Sequence, residues 1–300
     1  MDKSIYNIPI YNIINRSKMS NYVLETLYGM LFVMKRTEPV KILQKGGVIE
    51  QFEIDGHHND VDIQRIITED KYGRILHIYI SSPVNIDNRC AVMFIDGDTN
   101  IAHLNSLNVH DNCIVEKVIT DPVGMELTVK KRIGTKLIRI MVQICEKEKV
   151  KRIELTDNSY VTCDGGGTMQ LKYLHTLTQG VPWYYKFGFV PIDDKNKEIM
   201  EYNYNKMRNY VTNELNIKDI LKNSVNIRVE EIPKAREIIR IFDDNRNEKL
   251  YDTIQKVTKN SRYCNVFSKI FEEVYCGLKL KKYNGSLKMI LKVSISNTLK

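Results

Sequence analysis

One stretch limits the folds open to this chain more than any other. From Gly134 to Cys145, apolar residues recur at Leu137, Ile138, Ile140, Met141, Ile144 and Cys145. That is the spacing of a helix buried along one face. The charged run Glu146 to Lys149 ends it, and Val150 to Thr156 then reads as a strand. Upstream lie three short β-branched or aromatic runs: Arg74 to Ile80, Cys90 to Ile95 and Ile101 to Val109. Asp96-Gly97 supplies a tight reversal between the last two, so the three form an antiparallel meander. A helix between two strands makes a crossover, which adds the next strand in parallel. The expected fold class is mixed α/β: an antiparallel meander plus a parallel crossover, flanked by helices, with a mainly helical C-terminal extension.

The remainder divides around that centre. Residues 1–60 read as an N-terminal extension, with a short buried helix from Val23 to Met34, a turn at Gly46-Gly47 and a polar surface loop from Asp55 to Asp60. The adjacent His57 and His58 in that loop point in different directions and have no third ligand spaced to join them, so no metal site is expected. Residues 61–195 form the central domain. Met169, Leu171, Leu174 and Leu177 mark a second helix there, closed by Gly180. Residues 196–300 form the extension, with helix-like segments near 198–222 and 233–275 and a terminal hairpin around Asn284-Gly285.

An apolar share of 43% and a charged share of 27% exclude wholesale disorder. No apolar run approaches the roughly 20 residues of a membrane helix, and no secretory signal is evident, so a soluble protein away from membranes is expected. Six cysteines stand at 90, 113, 145, 163, 264 and 276 with no C-x-x-C pair. A zinc ribbon therefore lacks support, and reduced, mostly buried thiols in a cytoplasmic protein are expected. The charge of 45 − 37 = +8 favours polyanionic partners. Lys-, Asn- and Ile-rich usage from an AT-rich genome, such as that of a large DNA virus or a parasite, gives the same excess, and no segment concentrates it as a nucleic-acid arm would.

Two motifs carry chemistry. A diphosphate needs backbone N–H donors and the positive end of a helix dipole, and a helix start offers both. Lys130, Lys131 and Arg132 lead into such a start at Arg132-Ile133-Gly134-Thr135-Lys136. It is not a Walker A loop, because Val129 stands where the first glycine of that motif would be. The second motif is Trp183-Tyr184-Tyr185-Lys186-Phe187-Gly188-Phe189. Together they resemble the GNAT superfamily of acyl-CoA-dependent N-acetyltransferases, over roughly residues 65–192. The first is similar to the end of that family's pyrophosphate loop, of whose two glycines this chain keeps one. The second is similar to its aromatic-Gly-Phe signature, and Ile153 to Ser159 stands where the family has its fifth strand.

The resemblance implies a GNAT-like mixed sheet and direct attack of an amine on the thioester of acetyl-CoA, with no metal. It implies that Arg132, Ile133, Gly134, Thr135, Lys136 and Asn158 contact acetyl-CoA and that Tyr184 protonates the departing thiolate. The amine acceptor is a small molecule or a protein. Glu116 and His110 are equal candidates for the base, and Asp121 and Glu126 are no better. A thiol nucleophile is also conceivable, with Cys163 beside Asp157 and His175 twelve residues on. Two readings stand against an enzyme: a catalytically inactive GNAT-fold binding or structural protein, such as a virion component, and a nucleic-acid binder.

Overall fold

The structure is a computed structural model that describes residues 41–70, 73–81, 89–109, 113–116, 133–224 and 226–293. The Val23 to Met34 helix therefore lies outside the described residues, as do His110, Asp121, Glu126 and Arg132. The expected class holds: the fold is mixed α/β, with a mixed sheet that contains one parallel pair and seven α-helices among the described residues. The chain divides into two compact units, residues 1–92, 96–98 and 107–133, and residues 93–95, 99–106 and 134–300.

The first unit is built on β1 (Lys41–Ile54) and β2 (His57–Asp70), paired from Ile54↔His57 outward to Lys41↔Glu69. Asp55 and Gly56 join them with φ of 54° and 78°. Two consecutive positive φ values are the signature of a type I′ hairpin, whose twist matches that of its strands. The expected surface loop at 55–60 is thus a two-residue turn followed by a strand, in which Asn59 is fully buried and donates to the His57 carbonyl at 2.8 Å. Gly46-Gly47 is likewise no turn but part of β1. β3 (Gly73–Ser81) continues the meander against β2, followed by β4 (Arg89–Asp96), and the two-residue β6 (Val115–Glu116) pairs with β2.

In the second unit, the strand order from β4 is β5 (Ile101–Leu107), β7 (Arg152–Asp157), β11 (Leu287–Lys292) and β10 (Val190–Pro191). β5 and β7 are the parallel pair, delivered by α1 (Ile133–Lys147). That helix buries Leu137, Ile138, Ile140, Met141, Ile144 and Cys145, the stripe its sequence predicts. Each of the Leu, Ile and Met side chains contributes roughly 1.5–3 kcal/mol.

β11 comes from the far end of the chain. Between β10 and β11 lie α3 (Asp194–Asn209), α4 (Ile217–Asn223), α5 (Ile232–Asp244), α6 (Leu250–Thr258) and α7 (Ser261–Gly277). In α7, Tyr263, Val266, Phe267, Ile270, Phe271, Val274 and Tyr275 are buried at helical spacing. Two buried asparagines of α3 guide the chain back to the sheet. Asn203 bonds both the N–H and the carbonyl of Lys281, and Asn196 does the same for Asn284. Asn284-Gly285 thus leads into a single strand inserted between β7 and β10, not into a terminal hairpin. The helical extension is also part of the sheet, and the boundary at residue 60 falls inside β2.

Four of the six cysteines are bonded, Cys90 to Cys113 and Cys163 to Cys264, which corrects the expectation of reduced thiols. Cys145 and Cys276 remain free. The cytoplasmic reading rested on six thiols and loses that support. Pairing across 101 residues is set by tertiary topology, which sequence spacing does not display. No described helix is long and apolar enough to cross a membrane.

Candidate active site

The parallel pair stops pairing before either strand ends. β5 and β7 are in register from Ile101↔Arg152 to Leu104↔Leu155, and their mutual pairing ends there. β5 runs on through Asn105 and Ser106, and β7 through Thr156 to Asp157, still paired with β11. Asp157-Asn158-Ser159 follows at this end as a tight turn: the Asn158 N–H bonds the Thr156 carbonyl at 3.0 Å and the Ser159 N–H bonds Asp157 Oδ1 at 3.2 Å. Asn158 itself is exposed.

The aromatic motif forms a 3-10 turn, Trp183–Phe187. Trp183 meets Tyr184 edge-on at 4.8 Å and Phe187 at 5.1 Å, and Tyr184 meets Phe189 at 5.9 Å. Such pairs add about 0.5–1.5 kcal/mol each beyond their burial. Gly188 closes the turn at φ 89°, and a Cβ there would stand 3.1 Å from Leu291 Cδ1. Gly188→Ala is therefore expected to cost about 1–2 kcal/mol, read as a lower urea midpoint. An unchanged midpoint contradicts this turn geometry.

This turn reaches the start of α1. Lys186 donates to Thr135 Oγ1 at 3.2 Å, across 51 residues of sequence. The first turn of α1 holds no acidic residue, so its dipole and Lys186 present positive potential together. Gly134 and Thr135 are half-buried, whereas Ile133 and Lys136 are buried at 7% and 6% exposure. Backbone amides of residues 134–136, not the Lys136 side chain, are the groups suited to a diphosphate.

The turn also reaches the end of β7. Tyr184 is 4% exposed, and its hydroxyl lies 3.1 Å from Ser159 Oγ, either oxygen being able to donate. Burial pushes the phenol up to about 12, against the opposing Ser159 hydrogen bond. Asp157 is fully buried, and burial raises its carboxyl above the ordinary value, while the Ser159 amide, the Ser159 hydroxyl and the charge of Lys172 pull it down. Among the described residues, Asp157 Oδ2 has no hydrogen-bond partner. Lys172, in α2 (Leu171–Gln179), donates to the Asp157 main-chain carbonyl at 3.4 Å. Burial lowers its ammonium pKa and Asp157 raises it.

The structure thus brings together Thr135, Lys186, Tyr184, Ser159, Asp157 and Lys172. In the sequence Asp157 figured only beside Cys163 in the thiol reading, Ser159 only as the end of the family-like fifth strand, and Lys172 gave no signal. The predicted stripe on α2 is also shifted, since Lys172, Tyr173, Thr176, Leu177 and Thr178 are its buried residues. Glu116 lies in β6, opposite Asn59 in the first unit, with its side chain outside the described residues. The thiol-nucleophile reading fails, because Cys163 is bonded to Cys264. His175 lies 6.4 Å from the Trp183 ring and is held neutral, lowered to about 4 by burial and by Lys186. No protein-family model, curated protein or solved structure matches the chain.

Proposed function

We propose that the chain is a GNAT-type N-acetyltransferase that moves an acetyl group from acetyl-CoA to an amine. The observation that carries this reading is the bond from Lys186 to Thr135. It joins two motifs separated in sequence, a helix start fit for a diphosphate and a turn holding a phenol, beside a parallel pair that ends its pairing at Leu155. The diphosphate of acetyl-CoA would lie on the amides at 134–136 with Lys186 beside it. The pantetheine arm would enter beyond Leu104 and Leu155, where β5 and β7 no longer pair, carrying the thioester to Tyr184.

There the amine attacks the carbonyl, and the carbon–sulfur bond breaks with the proton passing to sulfur. The acceptor is a small molecule or a protein. The chain's own excess of lysine and arginine repels a strongly basic acceptor such as a histone tail. The single glycine at the helix start favours a second reading, a GNAT-fold protein that binds or scaffolds without turnover. One measurement separates the two. Acetyl-CoA at 100 times its Kd is expected to stabilise a binder by about 2.7 kcal/mol in a thermal-shift titration. No shift at millimolar acetyl-CoA defeats the enzymatic reading.

A further inference from the structure

Under the acyl-transfer reading, Tyr184 gives its proton to the departing sulfur, and a phenol does this only when its O–H faces that sulfur. A second hydroxyl stands where it can set that direction. Ser159 Oγ lies 3.1 Å from Tyr184 Oη, across 25 residues of sequence. The main chain on which that hydroxyl sits is held from two sides. The Ser159 N–H donates to Asp157 Oδ1 at 3.2 Å, and the Ser159 carbonyl accepts from the Leu171 N–H, at the start of α2, at 2.9 Å. The Asp157 carbonyl accepts from Lys172 Nζ, one residue along α2, at 3.4 Å, and Asp157 itself is fully buried. The turn is thus anchored in the core by Asp157 and on α2 by Leu171 and Lys172. The phenol ring is set in turn by its edge contacts with Trp183 at 4.8 Å and Phe189 at 5.9 Å.

We infer that Ser159 aims Tyr184: its hydroxyl donates to Tyr184 Oη, so that the phenol proton faces the thioester sulfur; this rests on the acyl-transfer reading. A phenol O–H lies close to the plane of its ring, so the proton has two directions to choose between. With Ser159 donating on one side, the proton is turned to the other. The reverse arrangement, with the phenol donating to Ser159, would spend that proton on the serine and leave the sulfur facing a bare oxygen.

The same bond eases the transfer. As the nitrogen–carbon bond forms and the carbon–sulfur bond breaks, the electron pair of that bond leaves on sulfur and the Tyr184 proton passes to it. The phenolate keeps the Ser159 hydrogen bond, which is stronger to a charged oxygen than to a neutral one. The surplus proton on nitrogen then restores the phenol, so atoms and charge balance with no outside reagent. Ser159 neither gains nor loses a proton. It is a positioning residue, since Tyr184 alone touches the substrates.

The test is a double-mutant cycle on thiol release from acetyl-CoA, with spermidine, tyramine or lysine amide as acceptor, whichever the wild-type chain turns over fastest. Ser159→Ala is expected to lower kcat about 10- to 100-fold with the KM for acetyl-CoA unchanged, and Ser159→Thr, which keeps the hydroxyl, to retain activity. Because Ser159 acts through Tyr184, adding Ser159→Ala to Tyr184→Phe is expected to cost no more than about 2-fold further. A serine that served only the fold would multiply the two losses. Should Ser159→Ala fail to fold, Ser159→Cys, close in size but a weaker donor, takes its place in the cycle with the same expected direction. Wild-type kcat in the Ser159 variant, or losses that multiply in the double variant, overturns the role of Ser159 while leaving acetyl transfer standing. A wild-type chain that binds no acetyl-CoA, or releases no thiol from it with any of the three amines, overturns the acyl-transfer reading itself, and the role of Ser159 with it.

Discussion

Tyr184→Phe is expected to lower turnover about 10- to 100-fold while leaving the KM for acetyl-CoA and the fold nearly unchanged. The ring keeps its edge contacts with Trp183 and Phe189, so the substitution removes one oxygen and its bond to Ser159. A typical hydrogen bond contributes about 1 kcal/mol to stability, which the aromatic cluster absorbs. The kinetic effect comes from chemistry alone. A phenol near 12 is a weak donor to a thiolate whose thiol titrates near 8.5. Direct transfer is uphill by roughly 3.5 units, or about 5 kcal/mol. Turnover equal to wild type in Tyr184→Phe removes this residue from the mechanism.

Replacing Cys163 and Cys264 together by serine is expected to cost about 2–5 kcal/mol of stability, the largest structural effect predicted for a site without chemistry. The bond spans 101 residues of sequence and ties the loop between β8 (Tyr160–Thr162) and β9 (Thr168–Gln170) to α7. In the chain-entropy account, a crosslink closing about 100 residues removes up to about 4.7 kcal/mol of freedom from the unfolded chain. The native contact is close on both sides of the bond. The Gly167 N–H donates to Asn265 Oδ1 at 3.1 Å, and a Cβ on Gly167 would stand 2.0 Å from Ser268 Oγ. Urea denaturation of the second unit, followed by Trp183 fluorescence, reads the effect. A double-serine variant with the wild-type midpoint contradicts the bond.

What the sequence made legible was local. The α1 stripe, the three strands from β3 to β5 and the left-handed closure at Gly180 all follow from spacing within a few residues. The same kind of reasoning misjudged Asp55-Gly56, because a two-residue hairpin turn and a polar loop share their residue types, and only the long pairing on either side distinguishes them. It missed β11, whose place between β7 and β10 is set by Asn196 and Asn203 on a helix some 80 residues earlier in the chain.

The candidate site divides in the same way. Tyr184, Gly134 and Thr135 were visible as motif positions. Ser159 was visible only as the end of a strand, since its partner Tyr184 lies 25 residues away and comes to it through the fold. Lys172 could not be read at all, because a lysine on the buried face of a helix contradicts the polarity rule by which such faces are recognised. Its burial is tolerated beside a carboxylate, and both belong to the same cluster.

The most direct test is a crystal structure of the chain with CoA. It is expected to show diphosphate oxygens on the amides of residues 134–136, and the sulfur at the Tyr184 hydroxyl, beyond the last paired residues Leu104 and Leu155 of β5 and β7. CoA bound elsewhere, or a sulfur remote from Tyr184, contradicts the proposed acetyl transfer.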